Sequence, residues 1–171
     1  MRPLLPAISL IGALAAGTAG AADLIDTARE LGGLDTFVAA VDVAGLTETL
    51  RGPGPFTLFV PSDAAFARLG ETALAALLAP TNANALAGIL AYHIVPEAML
   101  SITFVTDPIG HYVWTGEPVE LPTLDGRMVL VSTAGRPQFT VRVNDIILTR
   151  PDVIADNGVI HIINGVLSPA P

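Results

Sequence analysis

The hydrophobic pattern of this chain changes period at Tyr92, and that switch restricts the fold more than any other feature. Upstream, Leu24, Ile25, Ala28 and Leu31 recur at helical spacing, as do Leu34, Phe37, Val38 and Val41. Gly32-Gly33 divides these runs, and Gly45 divides the second from a third at Leu46–Leu50. Leu74, Leu77 and Leu78 predict a short helix before Pro80. Leu86, Ile89 and Leu90 predict the inner stripe of another, with Thr81 or Asn82 as its cap. One strand interrupts the helices: Phe56-Thr-Leu-Phe-Val60 reads as a buried strand bounded by Gly52-Pro-Gly-Pro55 and Pro61. Ser62 is then the expected N-cap of a short helix carrying Phe66 and Leu69, closed by Gly70 in the left-handed conformation.

Beyond Tyr92 the spacing becomes that of strands. Tyr92–Val95 is strand-like and stops at Pro96. The Val119–Leu124 and Met128–Ser132 runs flank Asp125-Gly126, a hairpin signal because glycine accepts a positive φ. Phe139, Val141 and Val143 alternate with polar neighbours, so one face of that strand is expected to be buried. Gly158–Ile163 and Val166-Leu167 follow, with turns at Asn157-Gly158 and Asn164-Gly165. Helices gathered before strands predict an α+β fold and argue against a doubly wound parallel-sheet enzyme. No repeat with a period of 20 to 50 residues is present.

The first residues read as an address. Met1-Arg2 supplies a positive end, Leu4 to Ala16 is mostly apolar, and Ala19-Gly20-Ala21 matches the Ala-x-Ala pattern that signal peptidase reads. The expected organisation is a signal peptide at 1–21 and a single domain at 22–171, with no membrane span once the leader is removed. An uncleaved anchor is the alternative for the same residues. The chain holds no cysteine, which excludes disulfides, thiolate metal sites and a lipoprotein anchor. An exported domain of this kind must be held by packing alone, which points to a bacterial envelope or secreted protein.

Charge excludes further classes. Acids outnumber bases 16 to 8, for a formal charge of −8, and the bases are arginines scattered singly. A nucleic-acid binder needs a basic patch to displace condensed counterions, and none can be drawn here. Attraction to anionic lipid fails for the same reason. No serine sits in a Gly-x-Ser-x-Gly elbow, and no loop spells a calcium-binding or phosphate-cradling motif. His93, His111 and His161 show no ligand spacing, so neither a metal nor another cofactor is expected. Visible catalytic machinery is absent, and an enzyme is not the expectation.

Two histidines lie in apolar surroundings: His93 beside Tyr92, at the join of a helical run and a strand run, and His161 within Val-Ile-His-Ile-Ile. A buried imidazole needs partners for both ring nitrogens, or burial costs about 1–3 kcal/mol. The reading preferred is architectural, with Asp63 as a plausible partner for one of the rings.

Pro55-Phe-Thr-Leu-Phe-Val-Pro-Ser-Asp-Ala-Ala-Phe66 resembles the first signature segment of the fasciclin-1 (FAS1) domain family. Asn157-Gly-Val-Ile-His-Ile-Ile-Asn-Gly-Val-Leu-Ser-Pro169 resembles the second, and Tyr92-His93-Ile-Val-Pro96 resembles the family's Tyr-His motif. The resemblance covers Asp23 to Pro169. It implies a wedge of mixed β-sheet with helices packed around it, both signature segments being central strands. It also implies a secreted, periplasmic or extracellular module for cell adhesion and protein interaction, without catalytic activity. Partner-contact candidates carried over from the family are Tyr92, His93 and the Asp152-Val153 pair, where valine replaces the family's isoleucine. Tyr112 and Trp114 are added as aromatic types favoured at interface hot spots. The expected partner is a protein or a cell-surface or matrix ligand, with weak homo-oligomerisation compatible with the same surface. A lipophilic small-molecule binder is the competing reading, since 51% apolar residues could also line a cleft.

Overall fold

Asp23 starts the fold by capping α1 (Leu24–Leu31), its carboxylate accepting from the Ile25 and Asp26 N–H groups at 2.9 Å. The computed structural model describes residues 22–101, 118–134 and 140–168. Helices α2 (Asp35–Val43) and α3 (Thr47–Arg51) follow, separated from one another at Gly45 and from α1 at Gly32-Gly33 as their spacing predicts. Strand β1 (Phe56–Pro61) leads into α4 (Asp63–Ala67), which Ser62 caps by accepting from Ala65 N–H. Then come α5 (Glu71–Leu77), a 3-10 turn at Pro80–Asn82 and α6 (Ala83–Ala91). The remaining elements are strands: β2 (Ile94–Val95), β3 (Val119–Pro122), β4 (Met128–Ala134), β5 (Thr140–Val143), β6 (Ile146–Ala155) and β7 (Gly158–Ile163).

The strands form one mixed sheet in the order β2-β1-β7-β6-β5-β4-β3. Within it β1 and β7 run parallel, from Phe56↔Gly158 to Pro61↔Ile163, while the other pairs are antiparallel. The two segments singled out as signatures are thus adjacent interior strands. Leu124 N–H, in the β3–β4 turn, donates to Ile94 O at 2.9 Å, so the sheet curls almost into a barrel.

Strand periodicity then sorts the core into two bodies. Leu58 and Val60 of β1 and Ile160 of β7 face the helices, where they meet Leu24, Phe37, Leu50, Phe66 and Leu86. Phe59 and Ile163 point the other way, into the curl, with Tyr92, Val95, Val129, Val131, Val143 and Leu167. No single helix among the described residues is long and apolar enough to cross a membrane. The α5–α6 pair, bent by 63°, instead buries Leu86 and Leu90 in the core.

Three local expectations change, and one strand has no counterpart in the sequence pattern. Tyr92 and His93 do not enter a strand: Tyr92 ends α6 in right-handed helical backbone, and His93 N–H donates to Leu90 O at 2.9 Å. Gly70 does not close α4 in the left-handed well, since its ψ of 150° lies outside it; it precedes α5, and Leu69 is 41% exposed. Asn82 directs its side-chain N–H to Ala76 O rather than capping α6. Finally, β6 occupies a stretch containing Pro151, accommodated by register shifts between Leu148 and Val153. Phe139 lies outside the described residues.

Candidate functional site

His93 is fully buried and both of its ring nitrogens are matched. Leu167 N–H donates to Nε2 at 2.9 Å, which requires that nitrogen to be unprotonated. The proton therefore sits on Nδ1, from where it is donated to Ile89 O at 2.8 Å. The neutral imidazole links the end of α6 to the chain after β7, across 74 residues of sequence. Burial pushes its pKa down from 6.5 to about 4, against the raising effect of the Ile89 carbonyl.

His161 carries the opposite tautomer. Asp152 N–H donates to Nδ1 at 3.2 Å, and Nε2–H donates to Met99 O at 2.9 Å. Phe59 stacks on the ring at a centroid distance of 5.5 Å. Burial lowers this pKa too, opposed by the Met99 carbonyl and by the Asp152 carboxylate 4.0 Å from Nδ1.

Because both folded-state values lie below the unfolded one, the unfolded chain takes up protons that the native state refuses. Stability from these residues is complete above about pH 6.5 and is lost as pH falls towards the folded values. For His93, a depression from 6.5 to about 4 is worth on the order of 3 kcal/mol over that window. Urea unfolding between pH 7.5 and 4.5 should show the midpoint flat at the upper end and falling steadily below about 6.5. A midpoint unchanged down to pH 4.5 would contradict this.

Tyr92 is also interior, 4% exposed. Its hydroxyl donates to Met128 O at 2.9 Å and accepts from Asn144 Nδ2 at 2.7 Å. Asn144 and Asp145, at φ 46° and 69°, make the two-residue turn from β5 to β6. The expectation that Tyr92 and His93 touch a partner directly is therefore corrected: neither ring is presented to solvent. Asp63 is corrected as well, because its carboxylate accepts from Thr36 N–H at 2.8 Å and serves neither histidine. It pins α2 to the start of α4. Tyr112 and Trp114 lie outside the described residues.

Asp152 and Val153 sit on the irregular part of β6, and both are half-buried. Val153 packs on the helical core. Asp152 adopts φ 57° and accepts from Ser101 N–H at 2.6 Å and from the Ser101 hydroxyl. Ser101, Asp152 and His161 are thus neighbours, but not as a nucleophilic triad. The hydroxyl bonds to the carboxylate, and both imidazole nitrogens bond to backbone groups, so the ring does not face it as the base a triad needs. Nothing near Ser101 in sequence announces this contact, which spans 51 residues. Among the described residues no three His, Asp or Glu side chains gather to hold a metal.

Beside this arrangement lies an open groove of about 410 Å³. Pro53, Pro55, Ala98, Leu100, Ile154 and Val159 line it, with Asp156 and Asn157 as polar members and no basic residue among the described residues. Ile154 is 71% exposed and Leu100 40%, so two large aliphatic groups of the lining face solvent. Asn157 fixes the floor. Its Oδ1 accepts from Leu24 N–H at 2.9 Å, and its Nδ2 donates to Leu50 O and Gly52 O at 2.7 and 2.8 Å.

A helical layer against a nearly closed mixed sheet is the architecture of a solved FAS1 domain pair from the insect cell adhesion molecule fasciclin I. That structure superposes with a TM-score of 0.62 at 18% identity, covering 81% of this chain and 46% of the insect one. The Fasciclin domain model matches residues 32–169, and the chain belongs to that family. The Synechocystis protein sll1483 is 34% identical over 154 residues, 90% of this chain and 77% of the relative. The pig transforming growth factor-beta-induced protein ig-h3 is 38% identical over 133 residues, 78% of this chain but 17% of that longer protein.

Proposed function

We propose that this chain is an exported adhesion and protein-interaction module, secreted or periplasmic, with residues 1–21 as its leader and 22–171 as a single domain without catalytic activity. Its contact face is the groove between Leu100 and Ile154. The occupant is a segment of a partner protein that places an aliphatic or proline side chain in the groove beside a lysine or arginine. The observation that carries this reading is the pair of exposed aliphatic side chains, in a fold that buries His93, His161 and Tyr92. Charge supplies the second half: Asp156 lines the groove, exposed Glu97 adjoins Ala98, and the chain's formal charge is −8. Complementary charge gives such a contact its specificity and speed of association. Membership of a family that includes an insect cell adhesion molecule supports the same class of role.

Selection of displayed random peptides on the purified domain tests this. Binders enriched in aliphatic-basic pairs are expected, with affinity at least about tenfold weaker for Ile154→Asp. The melting temperature should hardly move, because substitutions at exposed positions cost within about 0.5 kcal/mol. Failure to enrich any peptide, or a stoichiometric lipophile released by organic solvent from the native protein, would overturn the assignment.

A further inference from the structure

The groove wall formed by residues 97–101 is tied down at alternate positions. The Thr57 hydroxyl donates to Glu97 O and accepts from Met99 N–H. His161 Nε2–H donates to Met99 O, and Asp152 takes both the N–H and the hydroxyl of Ser101. Residues 97, 99 and 101 are therefore anchored to the sheet, while Ala98 and Leu100 between them line the groove. Two of the three anchors depend on one ring, because Asp152 is itself held by its N–H bond to His161 Nδ1.

We propose that His161, Asp152 and Ser101 form an acid-released latch that positions this wall. Nδ1 can accept from Asp152 N–H only while it is unprotonated. A proton arriving there from solvent sets two N–H groups against each other and breaks that bond. The new imidazolium N–H also attracts the Asp152 carboxylate, whose Oδ1 is 4.0 Å away and presently accepts from Ser101. Both effects draw Asp152 away from its present backbone, a φ of 57° that a non-glycine residue rarely adopts. Among the described residues around the ring, β6 contributes the Asp152 carboxylate, the wall contributes the Met99 carbonyl, and β1 contributes the uncharged Phe59. Acid thus frees Ser101 and loosens the wall while Thr57 still holds Glu97. The consequence for partner binding rests on the groove being the contact face; the release itself does not.

Amide hydrogen exchange on the full chain, corrected for the pH dependence of the intrinsic rates, reads the latch without any partner. Between pH 7.5 and 5 the Asp152 and Ser101 amides should lose protection at least tenfold. Phe37 in α2, and Leu167 at His93, should lose no more protection over the same range than the fall in global stability, read from urea unfolding at each pH, accounts for. Asp152→Gly, which tolerates the φ of 57° but removes the carboxylate that holds Ser101, should show fast exchange at Ser101 already at pH 7.5, beyond any change at Phe37. Asp152 and Ser101 amides that lose protection only together with Phe37 would overturn the latch. So would an Asp152→Gly chain whose Ser101 exchange matches the native one at pH 7.5. If the latch opens but no peptide binds the native domain, the groove reading fails by itself; if peptides bind and exchange stays flat, the latch fails by itself.

Discussion

A His93→Ala chain is expected to melt about 10 °C below the native protein. The substitution leaves Leu167 N–H without its acceptor and Ile89 O without its donor, at a site the structure keeps fully buried. An orphaned buried N–H costs about 1–3 kcal/mol, and the vacated ring volume adds a cavity term. About 3–4 kcal/mol in all is a large share of the stability of one domain. His93→Gln, which keeps a donor and an acceptor on a side chain of similar reach, should recover part of the loss. Scanning calorimetry at pH 7.5 decides it, and native-like melting of His93→Ala would refute the architectural role.

Gly158→Ala should be equally damaging for a different reason. A Cβ at 158 would lie 2.1 Å from Phe56 O and 3.1 Å from Leu24 Cδ1. The first of these neighbours is main chain and cannot rotate aside. Phe56 and Gly158 are the first partners of the parallel β1–β7 pairing, so the strain falls on the joint between the signature strands. A loss of about 3–5 kcal/mol follows, seen as a urea midpoint lower by about 2 M. Gly88→Ala is the contrast: within α6 its Cβ would meet nothing within 4 Å, so the helix should gain up to about 1 kcal/mol. Equal midpoints for the two variants would contradict the close-approach argument.

The contrast between these residues also explains what could be read in advance. Helical spacing at Leu24–Leu31, the Ser62 cap and the Asp125-Gly126 hairpin depend on neighbours a few residues away, and each appears as expected. The change of period at Tyr92 conveyed the α+β class, and the signature segments conveyed the paired central strands. Position within the fold was harder. Apolar flanks make Tyr92-His93 look like strand, yet the α6 carbonyls still claim their N–H groups. Strand β6 went unassigned because Pro151 and its polar neighbours break the alternation that bulges absorb. That a buried histidine needs two partners follows from chemistry. Which partners it takes does not, since Leu167 is 74 residues from His93 and Met99 is 62 from His161. Asp63 suggests itself only because it stands beside a helix start; the fold commits it to Thr36 instead. The groove assembles Pro53, Leu100 and Ile154 from three distant segments, and no local pattern marks it.

The account stands on two neutral, interior imidazoles locked in opposite tautomers, and ring-nitrogen chemical shifts measure that directly. Long-range proton–nitrogen correlation spectra of uniformly labelled protein at pH 7.5 should show His93 protonated on Nδ1 and His161 on Nε2. On acidification both should titrate below the ordinary 6.5, His93 only near pH 4. Two rings that titrate together at about 6.5 as rapidly exchanging tautomers would show solvent-facing histidines, and the architecture described above would be wrong.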